Sequence, residues 1–111
     1  MAGIAAEDIV ERHYQISGHD ILKQRYRGKQ GEIDLIVSDG ATVVFVEVKK
    51  SKTHARAATR VSRRQQSRIL QTAAEYMATL PTGQLTDCRF DVALVNQFGD
   101  LEILENAIGY D

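Results

Sequence analysis

Hydrophobic and polar positions in the first half of the chain predict three consecutive β-strands. Residues 20–27 alternate imperfectly, and residues 32–39 follow after the turn residues GKQG. The continuous β-branched and aromatic run in residues 41–50 is typical of a central strand that is covered on both faces. Asp39-Gly40 is a strong hairpin signal between the second and third of these strands.

Small and apolar residues recur at three- and four-residue steps between Ile4 and Ser17, which predicts an amphipathic helix that ends at Gly18. His13 falls on the predicted apolar face of this helix. Glu7 falls at the border of that face, given about 100° of rotation per residue, so its carboxylate can reach into a cleft.

A second helix is predicted after an exposed loop at residues 51–59. Ser62 and Gln65 fit a capping box at the start of this helix, and the stop signal Pro81-Thr82-Gly83 ends it. The predicted apolar face consists of Gln66, Ile69, Leu70, Ala73, Met77 and Leu80.

Two more strands are predicted at residues 88–95 and 101–105, separated by the turn residues NQFGD. The predicted order of elements is therefore αβββαββ. A basic, polar-rich helix that connects two β segments favours an α/β fold, with a mixed central sheet flanked by helices. Because 111 residues is the size of one domain, we expect residues 1–111 to form a single domain.

Charge is distributed unevenly along the chain, although the net charge is only −1. Residues 23–68 contain 12 of the 14 Lys and Arg residues but only four acidic residues, a net charge of +8, and the remainder carries −9. A basic half of this kind suggests a polyanionic partner. The simpler alternative is a solvated surface whose charges pair with the acidic half.

Composition limits the classes of protein that need to be considered. No apolar stretch approaches the length required to cross a bilayer, and the first residues do not resemble a secretory signal, so we expect a cytoplasmic protein without a membrane partner. The single cysteine, Cys88, excludes an internal disulfide and a thiolate metal site. We interpret it as a small, reduced core residue.

The stretch VVFVEVKK places charged residues at the end of an apolar run. Glu47 and Lys49 are two residues apart on a predicted strand and therefore point to the same face. Asp34 lies thirteen residues before Glu47, at a similar height on the preceding strand. Two partly buried carboxylates repel each other unless a cation lies between them. Asp34, Glu47 and the Val48 carbonyl match the oxygen ligands of Mg²⁺.

Lys49 beside such an ion would orient or deprotonate the attacking water, or stabilise charge that develops on phosphorus. The reaction that this arrangement suits is phosphodiester hydrolysis. A Glu-x-Lys pair alone is more often a surface ion pair. Its place at the end of an apolar run, and the absence of acidic residues from Val48 to Ala74, favour the catalytic interpretation.

The sequence EID followed after thirteen residues by EVK resembles the PD-(D/E)xK motif of restriction-endonuclease-like nucleases. The predicted element order also resembles the common core of that superfamily, which implies a restriction-endonuclease-like fold. The segments GEIDLIV, VVFVEVKK, RFDVALV and ILENAI resemble the YraN-like bacterial proteins, relatives of archaeal Holliday-junction resolvases. This resemblance covers nearly the whole chain.

The resemblance implies roles for particular residues. Asp34, Glu47 and Lys49 correspond to the catalytic triplet, and Glu7 corresponds to a helix carboxylate that joins the metal site in resolvase relatives. Glu32, two residues before Asp34, is either an additional ligand or outer-shell group, or a rim carboxylate that is paired with a nearby basic residue.

Two positions depart from the family pattern, and the departures bear on activity or substrate binding. Ala6 stands where a glycine usually precedes the helix glutamate, and Gln65 stands where relatives often have a lysine. The capping box is the first interpretation of Gln65. Contact with a phosphate at the helix N-terminus is the alternative.

Basic residues follow the predicted site closely, so we expect them to contact a phosphate backbone, although a solvated basic helix face is the alternative. The predicted nucleic-acid-binding residues are Lys50, Lys52, Arg56, Arg60, Arg63, Arg64, Gln65 and Arg68. We interpret single tyrosines such as Tyr26 and Tyr76 as core residues and Asp91 as a structural carboxylate.

The sequence thus predicts an endonuclease that depends on Mg²⁺ or Mn²⁺ and acts on DNA. Branched DNA as the substrate and a homodimer as the active form are implied by the resemblance to resolvases alone. A non-catalytic nucleic-acid-binding module with the same fold is the alternative, and it should tolerate the loss of Glu47. A structural adaptor whose basic and acidic halves pair with a protein, or with another copy of the same chain, is a third hypothesis.

Overall fold

The computed structural model describes residues 5–50 and 61–108. Within these ranges the predicted order αβββαββ and the mixed α/β class are confirmed. The elements are α1 (Ala6–Ile16), β1 (Asp20–Arg27), β2 (Glu32–Asp39), β3 (Thr42–Lys50), α2 (Arg63–Met77), a 3₁₀ turn (Gly83–Leu85), β4 (Cys88–Val95) and β5 (Leu101–Leu104). Neither α-helix of these ranges has the length and apolarity needed to cross a membrane.

The strands form one sheet in the order β1-β2-β3-β4-β5 within the described ranges. Neighbouring strands are antiparallel except for β3 and β4, which are parallel and are connected through α2. The predicted hairpin between β2 and β3 is confirmed, because Asp39 pairs with Thr42 across a two-residue loop. Gly40 in that loop has a φ of +62°, which a tight hairpin turn requires.

Each face of the sheet carries its own apolar core, which explains why β3 is a continuous apolar run. On the α2 face, Phe45 and Phe90 stack and pack with Ile69 and Tyr76 of the helix. On the α1 face, the buried residues include Val10, Tyr14, Val44, Val46 and Ala93. A strand that is buried on both sides has no polar face, so only its end can carry exposed charge.

The amphipathic patterns predicted both helices, but not every face residue. His13 is exposed, contrary to the prediction, because Val10 and the larger Tyr14 direct the buried stripe of α1 away from it. In α2, Thr72 and Tyr76 are buried, whereas Gln66 and Leu70 are only partly buried. The predicted loop at residues 51–59 lies outside the described residues.

Asp91 on β4 is fully buried and is held by three different partners. It accepts hydrogen bonds from the Tyr14 hydroxyl (2.8 Å), the Arg89 Nε (3.1 Å) and the backbone N–H of Asn106 (3.0 Å). A buried carboxylate is tolerated when its oxygens are satisfied in this way. Asp91 therefore joins α1 to the sheet, in agreement with its interpretation as a structural residue.

Candidate active site

Asp34 and Glu47 lie opposite each other where β2 and β3 separate. The last backbone pair of these strands at this end is Leu35 with Val46. Asp34 is the next residue on β2 and Glu47 is the next residue on β3, so the antiparallel register brings the two carboxylates together. The hairpin spacing in the sequence predicted this juxtaposition.

The side-chain alternation of β2 breaks at Asp34. Ile33 packs in the core under α2, whereas Leu35, two residues later, packs in the core under α1. On the neighbouring strand β1, Gln24 pairs with Leu35 and Tyr26 with Ile33, which leaves Arg25 opposite Asp34. Arg25 has a φ of +50°, a strained conformation for a residue with a side chain. The distortion directs Asp34 away from both cores.

Hydrogen bonds hold the two carboxylates in place. Asp34 Oδ2 accepts from the Val48 backbone N–H at 2.8 Å. Glu47 Oε2 accepts from the Gln65 side-chain Nε2 at 2.7 Å and lies 3.3 Å from Lys49 Nζ. One oxygen of Glu47 therefore contacts both an amide and an ammonium group, which fixes its orientation.

Burial and mutual repulsion disfavour the charged state of this pair. Desolvation, followed by the charge of Asp34, raises the pKa of Glu47 to about 7, against the lowering effect of Lys49. Desolvation also raises the pKa of Asp34, although its hydrogen bond from Val48 acts in the opposite direction. Because the pKa values of both carboxyl groups are raised, the pair holds a proton more readily than ordinary carboxylates do when no cation is bound.

Glu7, in the first turn of α1, lies beside this pair. It lines a cleft of about 300 Å³ together with Asp34, Arg25 and Glu11, and its charge contributes to the raised pKa of Asp34. Gln65 lies in the first turn of α2. The carboxylate pair thus lies between the N-terminal turns of two helices, where partial positive charge favours anions.

The donor set fits a hard divalent ion. Asp34 and Glu47 supply two carboxylates whose repulsion a cation would relieve. The N–H and C=O of one extended residue point to the same neighbouring strand, so the Val48 carbonyl is directed toward β2, as its N–H is. In the described part of the chain, no three His, Cys, Asp or Glu side chains form a ready metal cluster. Mg²⁺ requires only one or two carboxylates, with water completing its shell.

Comparisons with known proteins place the chain among close relatives. Residues 6–95 match the family model of the uncharacterised protein family UPF0102. The chain belongs to this family. A UPF0102 protein of Cereibacter sphaeroides is 57% identical over 106 residues, which cover 96% of this chain and 91% of that protein. A UPF0102 protein of Ruegeria pomeroyi is 53% identical over 110 residues, which cover 99% of this chain and 89% of that protein.

In this UPF0102 chain, Glu32 lies at the rim of the site. It is exposed and forms an ion pair with Arg27, with 3.2 Å between Arg27 Nη2 and Glu32 Oε2. This geometry agrees with the interpretation of Glu32 as a paired rim carboxylate. Its charge still contributes to the raised pKa of Asp34.

The predicted nucleic-acid-binding residues fall into three groups. Lys50, Arg63, Arg64 and Arg68 are exposed at the end of β3 and on α2. Lys52, Arg56 and Arg60 lie outside the described residues. Gln65 has a different position, because its side chain points to Glu47.

The capping box predicted for Ser62 and Gln65 is half confirmed. The Ser62 Oγ accepts from the Gln65 backbone N–H at 3.2 Å. The Gln65 side chain, however, donates to Glu47, eighteen residues earlier in the chain. No sequence pattern indicates this contact directly, since it depends on the docking of α2 against β3.

Two other features at this end of the sheet were not predicted from the sequence. The turn at residues 28–31 rests on α2, because the Lys29 backbone N–H donates to both carboxylate oxygens of Glu75, at 2.9 and 3.2 Å. The hairpin between β4 and β5 presents an exposed phenylalanine, Phe98. The sequence predicted the GKQG and NQFGD segments as turns, but not the contact with Glu75 or the exposure of Phe98.

Proposed function

We propose that this UPF0102 protein is a metal-dependent endonuclease that hydrolyses phosphodiester bonds in DNA. The observation that carries the proposal is the pair formed by half-buried Asp34 and buried Glu47. Lys49 Nζ lies 3.3 Å from Glu47 Oε2 beside this pair. The proposal also assigns the chain to the PD-(D/E)xK nuclease superfamily, on the basis of the EID and EVK segments at these positions.

The contacts support a separate role for each residue of the site. Asp34, Glu47 and the Val48 carbonyl would hold Mg²⁺ or Mn²⁺, and Glu7 remains a predicted additional ligand. When bound, the ion supplies positive charge that polarises the phosphate and stabilises the transition state. Lys49 holds or removes a proton of the attacking water, or stabilises the negative charge that develops on phosphorus.

Gln65 has a positioning role in this proposal. Its Nε2 donates to Glu47 Oε2 at 2.7 Å, which fixes the orientation of that carboxylate. Groups that orient a metal ligand in this way commonly change metal affinity or activity by about 10- to 100-fold. An amide can therefore serve at this position, where the resemblance to the YraN-like proteins implies a lysine.

The charge distribution supports a polyanionic substrate. Exposed Lys50 follows the catalytic lysine directly, and exposed Arg64 and Arg68 lie four residues apart on the same side of α2. The nearby N-terminal turn of α2 adds partial positive charge. Branched DNA as the preferred form, and a homodimer as the active assembly, are further parts of the proposal that rest on the resemblance to resolvases.

The deciding experiment is cleavage of end-labelled junction, flap, single-stranded and duplex DNA with Mg²⁺ or Mn²⁺. Wild type should cut at least one substrate, and Asp34→Asn and Glu47→Gln should each reduce the rate by at least about 100-fold, because each removes a charged ligand. Glu32→Gln is the matched control and should retain most activity. Metal-dependent cutting that persists in the Asp34 and Glu47 variants would overturn the assignment.

A non-catalytic nucleic-acid-binding module is the alternative. The observation that favours it is the absence of a ready three-ligand cluster within residues 5–50 and 61–108. Such a module would bind DNA in a salt-sensitive manner without cutting it, and Glu47→Gln would leave its affinity unchanged even with Mg²⁺. Calorimetric titration with Mg²⁺ separates the two functions, because only the nuclease requires an ion site that is lost in this variant.

A further inference from the structure

Local hydrogen bonds order the hairpin between β4 and β5, which carries Phe98 at its tip. Asn96 Oδ1 accepts from the backbone N–H groups of Phe98 and Asp100, both at 2.9 Å. The Gly99 N–H donates to the Asn96 carbonyl at 3.1 Å, and Gly99 has a φ of +84°. These local bonds fix the backbone on both sides of Phe98.

Phe98 is nevertheless 74% exposed. Isolated exposed apolar residues are common on protein surfaces, so exposure alone does not indicate a ligand. The location of Phe98 distinguishes it from the other large, exposed apolar residues of the described ranges. Ile16, Leu22 and Leu85 lie toward the opposite end of the sheet, near the start of β1 or of β4.

The parallel pairing of β3 and β4 places Phe98 at the same end of the sheet as the candidate active site. Glu47 is level with Val92, and Lys50 is level with Val95. The tip of the hairpin extends beyond Val95, which is three residues past the level of Glu47, so Phe98 lies more than about 10 Å from Glu47 at about 3.3 Å per residue. This separation corresponds to at least about three nucleotides at 3.4 Å each.

One exposed cation, Lys50, lies between the two positions, level with Val95 at the start of the hairpin. Lys49 belongs to the carboxylate site, since its Nζ is 3.3 Å from Glu47 Oε2. An exposed aromatic ring near a cation is suited to single-stranded nucleic acid, because the cation contacts a phosphate and the ring stacks on a base. A paired base in a regular duplex hides its faces in the stack and cannot use such a ring without being unstacked.

We propose that Phe98 stacks on an unpaired nucleobase several nucleotides from the cleavage site, so that the protein prefers DNA with unpaired bases on that side. This inference rests on the proposed nuclease function and adds a substrate feature to it. The contact is a binding contact that selects the substrate, and Phe98 takes no part in the chemical step.

The test uses full-length protein and a flap DNA that carries 2-aminopurine in its single-stranded arm, compared with the matching duplex. Binding is measured by fluorescence anisotropy, and stacking by quenching of 2-aminopurine. Phe98→Ala should weaken binding to the flap by about tenfold and abolish the quenching, because base–aromatic stacking contributes about five- to hundredfold in affinity. Duplex binding should stay the same. Leu85→Ala is the matched control, since Leu85 is 90% exposed away from the site.

Cleavage by the same variants separates this inference from the proposed function. Loss of cutting in Glu47→Gln, with unchanged flap affinity and quenching in Phe98→Ala, would overturn the stacking role and leave the nuclease intact. If Phe98→Ala changes the molecular mass measured by light scattering but not DNA binding, Phe98 makes a protein contact. This result would also overturn the stacking role. Absence of binding and cutting by wild type would overturn both proposals.

Discussion

The Gln65 side chain donates a 2.7 Å hydrogen bond to Glu47 Oε2, the same oxygen that lies 3.3 Å from Lys49 Nζ. Helix α2 therefore reaches the candidate active site through one amide. The backbone N–H of Gln65 makes a separate bond to Ser62. The capping function and the contact with Glu47 belong to different atoms, and a side-chain substitution can separate them.

Replacing Gln65 by methionine tests this contact. Gln65→Met retains the length of the side chain but removes the donor, so Glu47 loses a fixed orientation while the helix cap remains. We expect Mg²⁺ affinity or kcat/KM to fall by about tenfold or more, with little change in Tm. Gln65→Lys supplies a donor again and should recover most of the loss.

The adjacent residue provides the control for Gln65. Gln66 Nε2 donates to the Val61 carbonyl at 3.1 Å and does not contact the carboxylate pair. Gln66→Met should leave Mg²⁺ affinity unchanged. Equal effects of the two substitutions would show that the contact with Glu47 has no specific role.

The raised pKa of Glu47 predicts an unusual dependence of stability on pH. In the unfolded chain this carboxyl ionises near the ordinary glutamate pKa of 4.5, whereas in the folded protein it ionises at about 7. The folded state therefore binds more protons between these values, and the free energy of unfolding should fall as pH rises from about 4.5 to about 7. The contribution of one group is at most about 1.4 kcal/mol per pH unit.

Urea denaturation in EDTA between pH 4.5 and 8 measures this effect as the difference between wild type and Glu47→Gln. The variant should lose the fall in stability over that window, whereas Glu105→Gln, an exposed control, should retain it. Mg²⁺ binds the deprotonated carboxylates, so its affinity should rise through the same window. Parallel stability curves for wild type and Glu47→Gln would contradict the assignment.

The pairing of Asp34 with Glu47 was predictable, because the register of a hairpin depends on the position of its turn, here Asp39-Gly40. The distortion at Asp34 was not predictable in the same way. The distortion depends on the neighbouring strand β1, where Arg25 adopts a φ of +50° opposite Asp34. A strand pattern reports which residues can share a face, but not where a neighbouring strand interrupts that alternation.

Contacts between segments that are distant in the chain could not be predicted from sequence patterns either. Glu75 accepts from Lys29, forty-six residues earlier, and Gln65 reaches Glu47 across the gap between α2 and β3. These contacts depend on how deeply α2 packs on the sheet, which is set by the volumes of all core residues together. Periodicity predicts that a helix packs, whereas its depth and rotation follow from the complete core.

The packing of the turn at residues 28–31 on α2 yields a prediction about stability. A Cβ atom on Gly28 would lie 2.8 Å from Glu75 Oε2 and 3.1 Å from Thr72 Cγ2, and Glu75 cannot move without losing its bonds to Lys29. Gly28→Ala should therefore reduce the free energy of unfolding by about 1–3 kcal/mol. Gly31→Ala is a matched control, because its nearest contact would be an ordinary 3.5 Å to Arg68 Cβ. Chemical denaturation of both variants tests the difference, and equal losses would contradict the steric argument.

The exposed arginines of α2 give a prediction about DNA binding that is independent of cleavage. If Arg64 and Arg68 each neutralise one phosphate, the double alanine variant should reduce the slope of log affinity against log salt concentration by about two, at about 0.9 per contact. Arg12→Ala is the control, because Arg12 is exposed on α1 in the acidic part of the chain. Anisotropy titrations of Glu47→Gln protein at several salt concentrations measure the slope without cutting the probe. An unchanged slope in the double variant would show that this face of α2 is only a solvated surface and that the phosphate backbone follows another path.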